Sequence, residues 1–95
     1  QVGPPDTTAP SPPTNVAAVV AGSNVSLSWT ASTDNVAVRG YLVHRDGQFR
    51  AWVPAATAFV DPNVPVGAHL YQIRAQDTSS NNSPPSPVTA IFIPS

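Results

Sequence analysis

The chain has 95 residues with four Arg, five Asp and a formal net charge of −1, and it contains no Lys, Glu, Cys or Met. That length holds one domain with a modest core, and the near-neutral charge gives no electrostatic support for binding nucleic acid or an anionic membrane. The lack of Cys removes disulfides, thiolate metal ligands and thiol nucleophiles together. No apolar run approaches the length of a membrane span, and no signal peptide is read, so secretion would be directed from elsewhere in a longer chain.

Residues 1–13 carry five of the twelve prolines, at Pro4, Pro5, Pro10, Pro12 and Pro13. Prolines spaced by Thr and Ser favour extended polyproline geometry, so residues 1–13 read as a semi-rigid linker and 14–95 as the folded domain. The first strand is expected from Thr14, using Val16, Ala18 and Val20, with a turn at Ala21-Gly22-Ser23. Asn24 to Thr30 alternates Val25, Leu27 and Trp29 against Asn24, Ser26 and Ser28, the period-two signature of a strand with one core face. A polar loop from Ala31 to Ala37 follows, and then a strand over Val38 to Arg45 with Tyr41 and Val43 inward. Asp46-Gly47 is a hairpin signal, because a type I′ turn needs positive φ at both central residues.

Beyond that turn, Gln48 to Val53 is read as a strand with Phe49, Ala51 and Val53 inward and Arg50 and Trp52 outward. Thr57 to Asp61 follows with Phe59 inward, and Pro62 to Gly67 crosses between sheets. Ala68 to Asp77 places Tyr71, Ile73 and Ala75 inward. Thr78 to Pro85 reads as a polar loop, and Pro87 to Ile93 as a closing strand with Val88, Ala90 and Phe92 inward. Seven short strands, turn signals between them and no helical periodicity predict an all-β, seven-stranded, two-sheet Greek-key sandwich.

Leu27-Ser28-Trp29, Asp34-Asn35-Val36, Gly40-Tyr41 with Val43, and Arg45-Asp46-Gly47 resemble a fibronectin type III domain, of the bacterial kind found in secreted multi-modular polysaccharide-degrading enzymes. Arg74 to Asp77 and Asn81-Asn82-Ser83 continue the likeness, which covers roughly residues 12 to 93. The resemblance implies immunoglobulin-like topology and a role as a non-catalytic spacer between catalytic and binding domains. It also implies secreted or cell-surface localisation and a monomer whose partners are neighbouring domains of the same chain. One position departs from the family: where a Tyr usually starts the sixth strand, this chain has His69. Either His69 supplies a substitute hydrogen bond to the crossover, or Tyr71 takes that role and the inward set of this strand shifts.

Chemistry has few candidates. His44 and His69 are the only bases near neutral pH, and no Ser or Thr sits in a glycine-flanked elbow, so nucleophilic catalysis has no assembled parts. Asp6, Asp34, Asp46, Asp61 and Asp77 are scattered over loops and strand ends, which does not suit the paired carboxylates of glycoside hydrolysis. Neither a catalytic site nor a cofactor is expected. A calcium site built from Asp34, Asn35, Asp77, Asn81 and Asn82 has suitable oxygen donors but no spaced acidic run, and polar loops bonding their own backbone are the preferred account. The remaining candidate is a binding face of Trp52, Arg50, His44, Leu42 and Leu70 on one sheet, fit for a neighbouring module or a polysaccharide. Its bland alternative is a single Trp lying over adjacent side chains.

Overall fold

A computed structural model of the chain describes residues 8–34, 37–54 and 56–94. The alternations become seven strands: β1 (Thr14–Ala21), β2 (Asn24–Thr30), β3 (Val38–Arg45), β4 (Gln48–Pro54), β5 (Ala58–Asp61), β6 (Gly67–Asp77) and β7 (Thr89–Ile93). They form two antiparallel sheets, ordered β1-β2-β5 and β4-β3-β6-β7. The connections from β2 to β3, β4 to β5 and β5 to β6 each change sheet, which is the Greek-key arrangement. Asp46 and Gly47 both hold positive φ, 54° and 79°, as the hairpin turn demands.

The inner faces meet as expected. Val25, Leu27 and Trp29 on β2 pack against Tyr41 and Val43 on β3 and Tyr71, Ile73 and Ala75 on β6, all of them buried. Each large side chain so removed from water contributes about 1.5–3 kcal/mol. The Trp29 and Tyr41 rings meet edge to face with centroids 5.3 Å apart. The Tyr41 hydroxyl then accepts the Ser32 N–H at 3.0 Å, which ties the loop after β2 to the core.

The linker prediction meets a packed segment at its end. Pro10 and Pro13 are buried, the Ser11 N–H donates to the Thr33 carbonyl at 2.8 Å, and the Thr33 N–H donates to Ser11 Oγ at 2.9 Å. β1 begins opposite the end of β2, and β7 ends opposite the start of β6. The end of β5 pairs with the start of β2, and its Asp61 reaches Arg45 at the end of β3. The domain is therefore entered at one pole and left at the other.

Two inward sets differ from expectation. In β7, Ile91 and Ile93 turn inward, while Ala90 and Phe92, and Val88 just ahead of the strand, are exposed. The cause is register: Tyr71 pairs with Thr89, His69 with Ile91 and Gly67 with Ile93, so the odd-numbered residues of β7 share the face of Tyr71. In β4 a bulge lies opposite Val43 and His44, with Val43 facing Ala51 and His44 facing Phe49. Ala51 and Val53 keep their inward places, but Phe49 moves to the outer face and is 58% exposed. An extra residue in one strand reverses the facing of everything beyond it.

The segment expected to be a polar loop does part of a strand's job. Ser83 and Ser86 are buried beside β6; their hydroxyls accept the Ala75 and Ile73 N–H groups at 2.8 and 2.9 Å, and their own N–H groups donate to the carbonyls of the same two residues. Pro84, Pro85 and Pro87 cannot donate to a ladder, so the flanking serines carry the pairing alone: their N–H groups donate to β6 and their hydroxyls take the place of the strand carbonyls that would accept its N–H groups. Replacing Ser83 or Ser86 by Ala is expected to destabilise the domain by about 1–3 kcal/mol, far more than an ordinary loop substitution, through an orphaned buried N–H. Urea unfolding of the two variants checks this; a cost below about 0.5 kcal/mol would contradict the surrogate role.

Candidate functional site

Leu42 and His44 on β3, Trp52 on β4 and Leu70 on β6 lie on the outer face of the four-stranded sheet. Leu42 stands between Trp52 and Arg74, and His44 between Phe49 and Gln72. Leu70 is 48% exposed and pairs with Ala90; Phe92, 64% exposed, pairs with Ala68. The face thus gathers Phe49, Leu70, Val88 and Phe92 as exposed apolar groups. The two Phe were missed because both were assigned inward. The facing of Phe92 follows from the inward set of β6 only once the β6–β7 register is known, which the sequence does not supply. No sequence signal marks the bulge that turns Phe49 out.

Trp52 is half-buried and not a free platform. Its indole lies against Gly40, where an added Cβ would meet Trp52 Cζ2 at 2.6 Å, and the Arg39 guanidinium sits 5.5 Å from the ring centroid. Gly at position 40 is what lets the ring approach the backbone, and the cation adds an attraction of about 0.5–1 kcal/mol at an exposed site. His44 stacks edge to face on Phe49 with centroids 6.0 Å apart. Burial, aided by the nearby Arg74 charge, pushes its pKa below the ordinary value of 6.5 against the pull of a backbone bond at Leu42.

Arg50 does not belong to this face. It was expected to point outward beside Trp52; instead its Nε lies 2.7 Å from Asp61 Oδ1. The N–H is not aligned for a good hydrogen bond, so the contact is chiefly Coulombic. The bulge in β4 is the physical reason, because it swings residue 50 toward the space between the sheets. There Asp61 is fully buried, and its Oδ2 also accepts from Arg45 at 2.8 Å and from the Tyr71 hydroxyl at 2.6 Å. Burial and the bond to Asp61 push the Tyr71 hydroxyl well above its usual range.

The same pole holds His69. Tyr71 keeps its inward place, and His69 makes the substitute bond to the crossover: Nε2 lies 2.7 Å from the Pro65 carbonyl, and Nδ1 lies 2.6 Å from Asp46 Oδ2. The other Asp46 oxygen accepts the Leu70 N–H at 2.9 Å. The hydrogen bonds to His69 and Leu70 hold the Asp46 carboxyl below its usual value of 3.8, and the bonds to Asp46 and Pro65 raise His69 above 6.5.

The calcium candidates are occupied by their own loops. Asp77 is buried, with Oδ1 accepting the Ser79 and Asn81 N–H groups and Oδ2 the Asn81 side-chain amide, at 2.8–2.9 Å. Asp34 Oδ2 accepts the Ala37 N–H at 3.2 Å, and the Asn82 amide oxygen accepts from Gln76. Asn35 lies outside the described residues. No three His, Cys, Asp or Glu side chains converge among the described residues, and no pocket opens among them.

No family model matches the chain. In three dimensions it superposes on a fibronectin type III-like protein from Clostridium thermocellum with a TM-score of 0.75 at 23% identity, covering 93% of this chain and 97% of that one. It superposes on part of a chitinase from Bacillus thuringiensis with a TM-score of 0.84 at 27% identity, covering 98% of this chain and 15% of that one. In sequence it is 43% identical over 84 residues to exoglucanase B of Cellulomonas fimi, covering 86% of this chain and 8% of that protein. The chain is a fibronectin type III-like domain. The domain spans less than a sixth of the length of the exoglucanase and of the chitinase that it matches.

Within this fibronectin type III-like domain the densest polar chemistry is the Asp61 cluster, and its geometry is that of a structural tie. Removing one partner of a buried ion pair leaves the others uncompensated, which costs about 3–5 kcal/mol. Asp61→Ala is expected to destabilise the domain by that amount and Tyr71→Phe by about 1.5–3 kcal/mol, read as shifts of the urea midpoint. A loss under 1 kcal/mol for Asp61→Ala would show that the cluster does not hold this pole together.

Proposed function

We propose that the domain is a non-catalytic spacer and interaction module of a larger secreted bacterial protein that degrades polysaccharide. One observation carries this reading: nearly the whole domain matches, yet it matches only a small stretch of proteins named exoglucanase and chitinase. A sandwich entered at one pole and left at the other, held by a buried apolar core, supports the mechanical role. It sets a distance and an angle between a catalytic domain and a substrate-binding module, acting as a monomer in the secreted or cell-surface protein. Residues 1–13 serve as its proline-rich linker, the stretch ahead of Pro10 giving the spacing and Pro10 to Pro13 the anchor. Side chains able to act as acid, base or ion ligand are spent on Asp61, Asp77 and His69 contacts that hold loops and strand ends, which supports the non-catalytic reading.

A second reading has a specific observation in its favour. Phe49, Leu70 and Phe92 are exposed on the sheet face that carries Leu42, His44 and Trp52, and such a face suits a neighbouring domain or a flat sugar polymer. The isolated domain is expected to release no sugar from chitin, cellulose or starch and to remain in the supernatant when these polymers are spun down. Sugar release would overturn the non-catalytic reading. Sedimentation that is lost in Phe49→Ala, Phe92→Ala or Trp52→Ala would establish the binding face in place of the spacer.

A further inference from the structure

Both ring nitrogens of His69 face oxygens that only accept, a carboxylate at Nδ1 and the Pro65 carbonyl at Nε2. A neutral imidazole has one N–H and an imidazolium has two, so only the protonated ring donates to both. The His69 side chain is 11% exposed and the Asp46 side chain 45%, so the ring is held closely while water reaches the carboxylate. The two partners differ in how else they are held. Asp46 is fixed to β6 by the Leu70 N–H on its Oδ1 and by its own N–H on the Leu70 carbonyl at 2.7 Å. The crossover 62–67 has Val64 bonded to the Ser23 carbonyl and a long bond of 3.4 Å from the Asn63 N–H to Asn24. A ring that has lost its proton keeps its N–H toward the Asp46 charge and turns a lone pair on the Pro65 oxygen, setting acceptor against acceptor.

We propose that His69 is a proton-operated latch, fastening the crossover 62–67 to the β3–β4 turn while the ring is protonated and releasing it when the proton leaves. Gly67 pairs with Ile93, so release loosens the end of β7 at the pole where the chain leads away. The charged groups bearing on the ring are Asp46, which favours the proton, and Arg45, which opposes it and is itself engaged by Asp61. The crossover and β7 contribute no ionisable side chain; Tyr71, two residues on and on the same face of β6, spends its hydroxyl on Asp61. The elevated pKa of His69 gives the direction. Its folded value lies above 6.5, so the stabilisation is fully present below 6.5 and is lost as pH rises through the folded value. Asp46, held below 3.8, stays ionised throughout that window.

The test is an NMR titration of the domain from pH 5 to 9, following the His69 ring nitrogens and the hydrogen-exchange protection of Val64, Val66 and Gly67. The ring is expected to titrate above 6.5 with both nitrogens protonated on the acid side. Protection in the crossover, measured relative to β3, is expected to fall on the alkaline side by about tenfold for each unit by which the midpoint exceeds 6.5. His69→Gln abolishes this dependence; His44→Gln, at a site shifted the other way, leaves it intact. Should His69→Gln not fold, Asp46→Asn serves instead and lowers the His69 midpoint. A midpoint at or below 6.5, or an alkaline loss of protection that persists in His69→Gln, overturns the proposal.

Discussion

The longest strand, β6, paired with β3 on one side and β7 on the other, is the constraint through which the rest is set. Its inward residues Tyr71, Ile73, Ala75 and Asp77 are all buried, and its two neighbours take their facing from it. On one side, Tyr41 and Val43 stand opposite Ala75 and Ile73; on the other, Ile91 and Ile93 fall into line with Tyr71. Because side chains alternate with a period of two, one register choice settles which half of each neighbour meets the opposing sheet. The core against β2 follows from that choice, and so does the outer face with its exposed Phe49, Leu70 and Phe92.

Polar groups serve the same end at the margins of the core. Where prolines interrupt the partner of β6, two serine hydroxyls complete its hydrogen bonding. At the exit pole, Asp61 gathers Arg45, Arg50 and Tyr71 from three strands, and Asp46 and His69 fasten a turn and a crossover above them. At the entry pole, Tyr41 and Ser11 hold the loop after β2. A domain this small has little stability to spare, so groups that would be reactive in a cleft are used as ties. That use of the few ionisable residues connects the physical chemistry of the fold to its proposed mechanical role.

The outer sheet face shows how a plausible surface reading changes once packing is known. Trp52 looked like an exposed ring, but a missing Cβ at Gly40 lets it lie down on the backbone, with Arg39 over it. Arg50 looked like its neighbour, yet it serves the buried Asp61. Phe49 and Phe92 instead carry the exposed aromatic area, so the chemistry of the face passes from indole and guanidinium to phenyl rings.

Much was legible in the sequence because alternation is a local property: β2, β3 and β6 follow from Val25-Leu27-Trp29, Tyr41-Val43 and Tyr71-Ile73-Ala75, and Asp46-Gly47 fixes the hairpin turn between β3 and β4. The departure at His69 is visible in the sequence too, but that this ring, and not Tyr71, bonds the crossover is decided by the fold. What required tertiary structure was every feature decided by a partner strand. Val88-Ala90-Phe92 and Thr89-Ile91-Ile93 alternate equally well, and only pairing with β6 selects the second set. The β4 bulge has no mark in its own residues, and Ser83 and Ser86 read as loop until the unpaired N–H groups of β6 are placed beside them. Sequence determines which residues can share a face; which face is buried depends on what lies opposite, and that is settled only when the sheets assemble.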